Sequence, residues 1–177
     1  MREHCYEDLA TYLKGNCNVI QHLNLKGIWL TGKSRLIFCD ALRRMPQLRY
    51  LNVPHIASSQ MIETLSRKCA HLTYLDLSGS QELTEDDLLK LSSLRTTLKI
   101  LNLANVGRDP IVAECVATLI NNLPNLISLG GYQKTGEAIR ILNMDLGRTH
   151  ATKLKFIHDS FTEFQIINSI RILCPGL

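Results

Sequence analysis

The chain has 177 residues, of which 45% are hydrophobic and 20% are charged, and its formal net charge is +4. A chain this apolar and this weakly charged can bury enough surface to offset its conformational entropy, which excludes collagen-like, low-complexity and disordered proteins. No stretch approaches the roughly 18 uninterrupted apolar residues of a membrane helix, and acidic residues interrupt the N-terminus where a signal peptide has its apolar core. We therefore expect a cytoplasmic or nuclear protein that does not contact a membrane.

The six cysteines and six histidines show no pattern typical of a metal site or a hydrolase. No CxxC or HExxH motif occurs, and no two histidines stand four residues apart. We therefore expect no metal, no cofactor and no enzymatic activity. The cysteines are expected to be small buried apolar residues in a reducing compartment.

A repeated segment organises the chain. The segment at residues 22–28, HLNLKGI, returns as YLNVPHI, YLDLSGS and ILNLANV, and more weakly as SLGGYQK. An apolar residue, here called the opener, precedes each copy by two positions. The openers are Ile20, Leu48, Leu72, Leu98, Leu126 and Leu154. They predict a single domain over residues 1–177 with about six repeats. Because solenoids need polar caps at their ends, we expect either a piece of a longer array or an array whose ends are covered by something outside this sequence.

Each repeat predicts one strand followed by one helix. Alternation directs Leu75 and Leu77 into the core and Tyr74 and Asp76 to the opposite face. Amphipathic stretches predict helices at 34–45, 59–69, 84–94, 110–122, 136–144 and 162–173. Strand, turn and helix in under 30 residues predict an α/β solenoid, with parallel strands on the concave face and helices on the convex face.

Two helix starts carry capping signals. Thr84 followed by Asp87 is similar to a capping box, with Asp in place of Glu. Asp109 followed by Pro110 offers an N-cap and a proline at the first helical position.

The apolar spacing i, i+3 and i+5 from each opener resembles the leucine-rich repeat. The ending Cys-Pro-x-Leu and the phrase LDLSGSQELTEDDLLKL are similar to the cysteine-containing repeats of F-box type ubiquitin-ligase receptors. The resemblance implies a substrate-recognition part of a cullin-RING ubiquitin ligase. Other ligase subunits would then be contacted through regions outside this chain.

A phosphate-loop match supplies an alternative function. Residues 27–34 satisfy GxxxxGK[ST], follow a strand and precede a helix, so a nucleotide-binding switch would use Lys33 and Ser34. Residues 76–79 also resemble the DxxG motif of guanine-nucleotide proteins. Against this, Ile28, Trp29 and Leu30 are bulky groups that we expect to be buried rather than to line a phosphate cradle.

The outward strand positions are the predicted partner-binding residues. Large amphipathic side chains in one column flank a polar second column, as in the centres of protein interfaces. These residues are His22, Asn24, Tyr50, Asn52, Tyr74, Asp76, Ile100, Asn102, Phe156 and His158. The competing interpretation is structural, because strands favour aromatic residues and stacked asparagines bond to each other.

Charge is unevenly distributed along the chain. Residues 14–68 carry nine Lys or Arg and two acidic residues, whereas residues 76–87 carry five acidic residues and no base. We expect an acidic protein partner to contact the first repeats, and we do not expect nucleic acid to bind, because no DNA or RNA motif accompanies the basic residues.

Overall fold

The computed structural model describes residues 8–9, 11–13, 15–30, 32–131 and 156–158. Residues 8–9, 11–13 and 15–16 are helical and precede the repeating strands and helices. The strands are β1 (His22–Asn24), β2 (Tyr50–Asn52), β3 (Tyr74–Asp76), β4 (Ile100–Asn102), β5 (Ser128–Gly130) and β6 (Phe156–His158). The helices are α1 (Gly32–Leu42), α2 (Ser59–Lys68), α3 (Glu85–Lys90) and α4 (Ala113–Asn122), with 3₁₀ turns at Cys17–Val19 and Leu91–Leu94.

The six strands form one parallel sheet in which spatial order follows chain order. Each pairing keeps the same register, so that the central apolar residue of every strand stands beside its equivalent. Parallel pairing requires a crossover between strands, and helices α1 to α4 provide it for the first five strands. The predicted α/β class with a parallel sheet is confirmed.

One apolar core lies between the sheet and the helices. Leu51, Leu75 and Leu101 are completely buried at the strand centres, and they belong to the same cluster as Phe38 and Ile62 of the helices. Successive helices pack on one another, α1 on α2, α2 on α3 and α3 on α4. The predicted inward direction of Leu75 and Leu77 is confirmed, since both are fully buried.

Four of the six predicted helices are observed as α1 to α4, with differences of a few residues at their ends. The predicted helices at 136–144 and 162–173 and the opener Leu154 lie outside the described residues. Within the described ranges, no helix has both the length and the apolar character needed to cross a bilayer.

The turn after each of the first four strands uses a residue with positive φ, seven positions after the opener. The residues are Gly27 (83°), His55 (66°), Gly79 (69°) and Asn105 (54°). Glycine has no Cβ to clash in this left-handed region, and Asn and His tolerate it better than most other residues. The sequence analysis did not find this column, because three residue types share one backbone conformation.

Gly131 stands where earlier repeats have a core leucine or valine. Its φ is +76°, and a Cβ atom at this position would lie 2.4 Å from the Cα of Ala104. The glycine therefore lets the fifth turn approach the backbone of the fourth, which no other residue allows without displacement.

One of the two predicted helix starts is confirmed and the other is wrong. Thr84 and Asp87 form the reciprocal capping box at the start of α3. Asp109 and Pro110 do not begin α4, which starts at Ala113. The backbone N–H of Val112 donates at 2.8 Å to the carboxylate of Glu85, which belongs to the preceding repeat, and the helix begins after this bond.

Buried thiols account for the cysteines that the structure describes. Cys17, Cys39, Cys69 and Cys115 are free and buried. Burial raises the pKa of Cys69 to about 12 and that of Cys115 to about 11, so both thiols keep their protons at neutral pH. Their expected role as small apolar residues is confirmed. Cys5 and Cys174 lie outside the described residues.

Candidate functional site

The sheet places the predicted binding residues in two columns on the face opposite the buried leucines. The first column consists of the first residue of each strand, and the second column consists of the third residue. Both columns lie on one face, because residues two apart in a strand point to the same side of the sheet. In order, the first column is His22, Tyr50, Tyr74, Ile100, Ser128 and Phe156, and the second is Asn24, Asn52, Asp76, Asn102, Gly130 and His158. Phe156 and His158 are placed by strand register alone.

Aromatic rings stack along the first column. The rings of His22 and Tyr50 have centroids 6.1 Å apart, and those of Tyr50 and Tyr74 lie 4.2 Å apart and nearly parallel. Burial raises the pKa of Tyr50, and burial with the nearby charge of Asp76 raises the pKa of Tyr74 far above its ordinary range. Both hydroxyls are therefore neutral hydrogen-bonding groups at physiological pH.

The second column binds the backbone of its own turns. In three strands the side-chain oxygen accepts a hydrogen bond from the N–H two residues later, the geometry of an Asx turn. The bonds run from Lys26 N to Asn24 Oδ1 (3.0 Å), from Ser78 N to Asp76 Oδ1 (2.8 Å) and from Ala104 N to Asn102 Oδ1 (3.0 Å). A further bond joins the column, since the Asn102 amide donates to Asp76 Oδ2 at 2.9 Å. Part of this column therefore stabilises the fold, as the structural interpretation predicted.

The predicted partner-binding residues differ widely in their exposure to solvent. His22 and Asn24 are exposed and Tyr50 is half-buried, but Asn52, Tyr74 and Asp76 are only 7%, 3% and 4% exposed. Ile100, Asn102 and Ser128 are also buried. The predicted partner-binding residues of β3 and β4 are therefore buried, whereas those of β1 are exposed. Neighbouring side chains stand one strand spacing apart, about 5 Å, so large rings cover one another.

An exposed aromatic pair lies beyond the ends of β1 and β2. Trp29 is 59% exposed, and its ring stacks on His55 with centroids 5.3 Å apart. The left-handed backbone at His55 brings its imidazole over Gly79, where a Cβ atom would meet Nδ1 at 2.1 Å. The sequence predicted a buried Trp29, which is wrong. The signal that could have found this pair is the positive-φ position shared by His55 and Gly79.

In the phosphate-loop match, the structure shows one backbone donor already engaged and one of the three bulky side chains buried. Leu30 is buried and Ile28 is half-buried, as expected. The N–H of Ile28 donates to the carbonyl of Leu25 at 3.0 Å, so it closes the repeat turn. Lys33 lies exposed in the first turn of α1 and Ser34 is buried. Thr31 lies outside the described residues.

A groove that the sequence analysis missed lies between two loops of the third and fourth repeats. Its volume is about 590 Å³, and residues 81–85 and 107–111 line it. Glu85 is held by Val112, and Glu82 forms an ion pair with Arg35 of α1, so both carboxylates already have partners. The ion pair between Arg35 and Glu82 also connects the basic first repeats with the acidic segment at residues 76–87. Across the described ranges, no three His, Cys, Asp or Glu side chains gather as metal ligands.

No protein-family model matches the chain, and a search of curated proteins found no match to its sequence. The functional argument therefore rests on the geometry of the face.

Proposed function

We propose that this chain is a leucine-rich-repeat solenoid that binds a protein partner on its strand face and catalyses no reaction. The observation that carries the proposal is the unbroken double column over β1 to β3, in which stacked rings run beside carboxylate and amide groups. The recurring positive-φ turn and the regular register support one repeating unit. In this proposal the strands lie on the concave side and the helices on the convex side.

Protein binding fits the physical character of the face better than a small ligand does. Interface centres combine aromatic anchors with hydrogen-bonding groups, and a row of equivalent strands offers an extended surface rather than an enclosed cleft. The accessible part lies at the β1 and β2 end, where His22, Asn24 and Tyr50 retain exposed surface and Trp29 projects nearby. We propose that the partner contacts this end, where the acidic character predicted for its surface would meet the basic first repeats.

The form of protein binding that the repeat resemblance suggests is recognition of a degradation substrate. The chain would then hold the substrate while regions outside it contact the cullin-RING subunits. The nucleotide-binding alternative stands second, because the Ile28 N–H that a phosphate would need is bonded within its own turn.

Affinity capture with matched variants tests the face. The double variant His22→Ala with Asn24→Ala removes exposed side chains from the strand face, and Gln60→Ala with Thr118→Ala removes exposed uncharged side chains from α2 and α4. We expect the first pair to weaken the affinity for the captured protein at least tenfold and the second to leave it within twofold. Loss in the helical pair alone would move the binding site to the other side of the chain.

A further inference from the structure

One edge of the sheet carries a run of basic residues with no acidic residue among them. Because the strands are parallel and follow chain order, the segments that enter the second, third and fourth strands lie side by side along this edge. These segments are residues 43–49, 67–73 and 91–99, and they contain seven Lys or Arg and no Asp or Glu. By contrast, residues 77–87, which leave β3 at the opposite edge, contain four acidic residues and no base. The entering edge is therefore uniformly basic over three strands.

Five of the seven bases form no ion pair with any residue that the structure describes. Arg43 pairs with Asp40 at 3.0 Å, at the end of α1. Arg67 pairs with Glu63 at 2.9 Å, within α2. The other five, here called the basic edge, are Arg44, Arg49, Lys68, Arg95 and Lys99. Four of them are exposed and Lys99 is half-buried, so their head groups are accessible to an anion from outside the chain.

The backbone holds part of the basic edge in register. The N–H of Thr73 donates to the carbonyl of Arg49 at 2.8 Å, and the N–H of Lys99 donates to the carbonyl of Thr73 at 2.9 Å. The strand pairing is thus extended by one position, and Arg49 and Lys99 stand two strand spacings apart, about 10 Å. They directly precede Tyr50 and Ile100 of the first column, so the basic edge adjoins the candidate face.

A structural role explains only part of the basic edge. Lys68 lies in the last turn of α2 and Arg44 follows α1, where a positive charge is favourable beside the free carbonyls of a helix end. Arg49 and Lys99 instead precede strands, where no helix end attracts them. Like charges along one edge repel one another, and the three entering segments contain no acidic residue that would offset this repulsion. An anionic partner would offset it.

We infer that the basic edge binds an acidic segment of the protein partner, an extended stretch rich in Asp and Glu. This inference rests on the proposed function and names the chemistry of a second contact beside the strand face. An acidic chain repels itself and stays extended, and in the polyproline II form it has three residues per turn and a rise of about 3.1 Å per residue. Carboxylates three residues apart then lie on one side of the chain, about 9 Å apart, which is close to the separation of Arg49 and Lys99. Three of the five residues are arginines, which bind carboxylates through two parallel N–H donors.

The basic edge fits a polypeptide better than a nucleic acid. The three entering segments contain no Phe, Tyr or Trp on which unpaired bases would stack. A duplex is commonly read by a helix or a two-stranded ribbon that enters a groove, and the starts of three parallel strands form neither. Carboxylates need only accessible donors of positive charge, which the basic edge supplies.

Fluorescence anisotropy of the whole chain with labelled peptides tests the basic edge without the natural partner. The probe is a peptide of about twelve residues made of glutamate and serine, and the matched control has glutamine in place of every glutamate. We expect the acidic peptide to bind at least tenfold more tightly than the glutamine peptide at about 50 mM salt, and its affinity to fall as the salt concentration rises. An affinity less than tenfold above the control, or no saturable binding at about 1 mM protein, would overturn the inference.

Two arginines on opposite edges give matched variants. Arg49 belongs to the basic edge, whereas Arg108 lies exposed in the loop that leaves β4 and forms no ion pair within the described ranges. We expect Arg49→Gln to weaken binding of the acidic peptide about threefold and Arg49→Gln with Arg95→Gln to weaken it about tenfold, while Arg108→Gln stays within about 1.5-fold. Equal loss in Arg108→Gln would mean diffuse attraction and would refute the basic edge. A short DNA duplex that binds more tightly than the peptide and depends on Arg49 would also refute the inference, because the edge would then be a nucleic-acid site.

Affinity capture separates this inference from the proposed function. We expect the double variant Arg49→Gln with Arg95→Gln to weaken the captured partner, and excess acidic peptide to compete with it. Partner capture that requires His22 and Asn24 but is unchanged in the double variant leaves the function standing and refutes the basic edge. Peptide binding that requires Arg49, without any partner that requires the strand face, refutes the proposed function and retains the basic edge.

Discussion

The carboxylate of Asp87 offers the sharpest test of how neighbouring repeats hold together. It is 2% exposed at the start of α3. It accepts hydrogen bonds from Ser59 in the second repeat and from Thr84 and Lys90 in the third. The bonds come from Ser59 Oγ (2.7 Å), Thr84 N (3.1 Å), Thr84 Oγ1 (3.0 Å) and Lys90 Nζ (2.8 Å). Burial opposes the charge, but these hydrogen bonds outweigh it and lower the pKa of Asp87 to about 2 from 3.8.

This lowered pKa fixes both the size and the direction of a pH effect. A shift of nearly two pH units corresponds to about 2 kcal/mol of folding stability. Because the pKa is lower in the folded chain, this contribution is complete above pH 4 and is lost as the pH falls toward 2. The variant Asp87→Asn never has the charge, so it should be less stable than the parent by about 2 kcal/mol at pH 7.

Urea denaturation of both proteins at pH 7, about 4 and about 2.5 measures the effect. We expect the difference in unfolding free energy between parent and Asp87→Asn to shrink by more than half between the first and last conditions. The exposed control Asp86→Asn should differ from the parent by no more than about 0.5 kcal/mol at pH 7. A difference for Asp87→Asn that stays constant with pH would refute the argument, because the loss would then come from shape rather than from charge.

Two further substitutions test the core and the turns by thermal or urea unfolding. Leu75→Ala should leave a cavity between adjacent repeats and cost about 2–5 kcal/mol, and a cost as small as that of Asp86→Ala would contradict the strand register. Gly131→Ala should cost about 1–3 kcal/mol more than Gly27→Ala. Both glycines have positive φ, but the added Cβ would meet Ala104 at Gly131 and open space at Gly27, so equal costs would show that the close approach does not matter.

The periodic part of the fold could be predicted from sequence because its causes are local. Alternation within three residues sets which leucines enter the core, and the interval between openers sets where each strand pairs. The start of α4 could not be predicted in this way. The N–H of Val112, the residue just before the helix, is bonded to Glu85, which lies 27 residues earlier. Only the packed structure brings these two residues together.

The candidate face also has features that could be predicted from sequence and features that depend on other repeats. Its membership followed from the sequence, but the burial of Tyr74 and the stacking of Trp29 on His55 depend on side chains from other repeats. A column that looks uniform in sequence therefore contains residues with different roles. Asn102 is bonded at both ends of its side chain and holds the turn and its neighbour in place.

Asn52 lacks the turn hydrogen bond that Asn24, Asp76 and Asn102 accept, and its Oδ1 is buried without a partner. This difference could be located from sequence once the Asx turn was known, because Pro54, two residues later, has no N–H to donate. Asp76, which stands opposite Asn52 on β3, accepts hydrogen bonds at both carboxylate oxygens, from the N–H of Ser78 and from the Asn102 amide. The two residues are paired in the sheet register, but only the packed structure shows that Asp76 is bonded at both oxygens while Asn52 Oδ1 is buried without a partner.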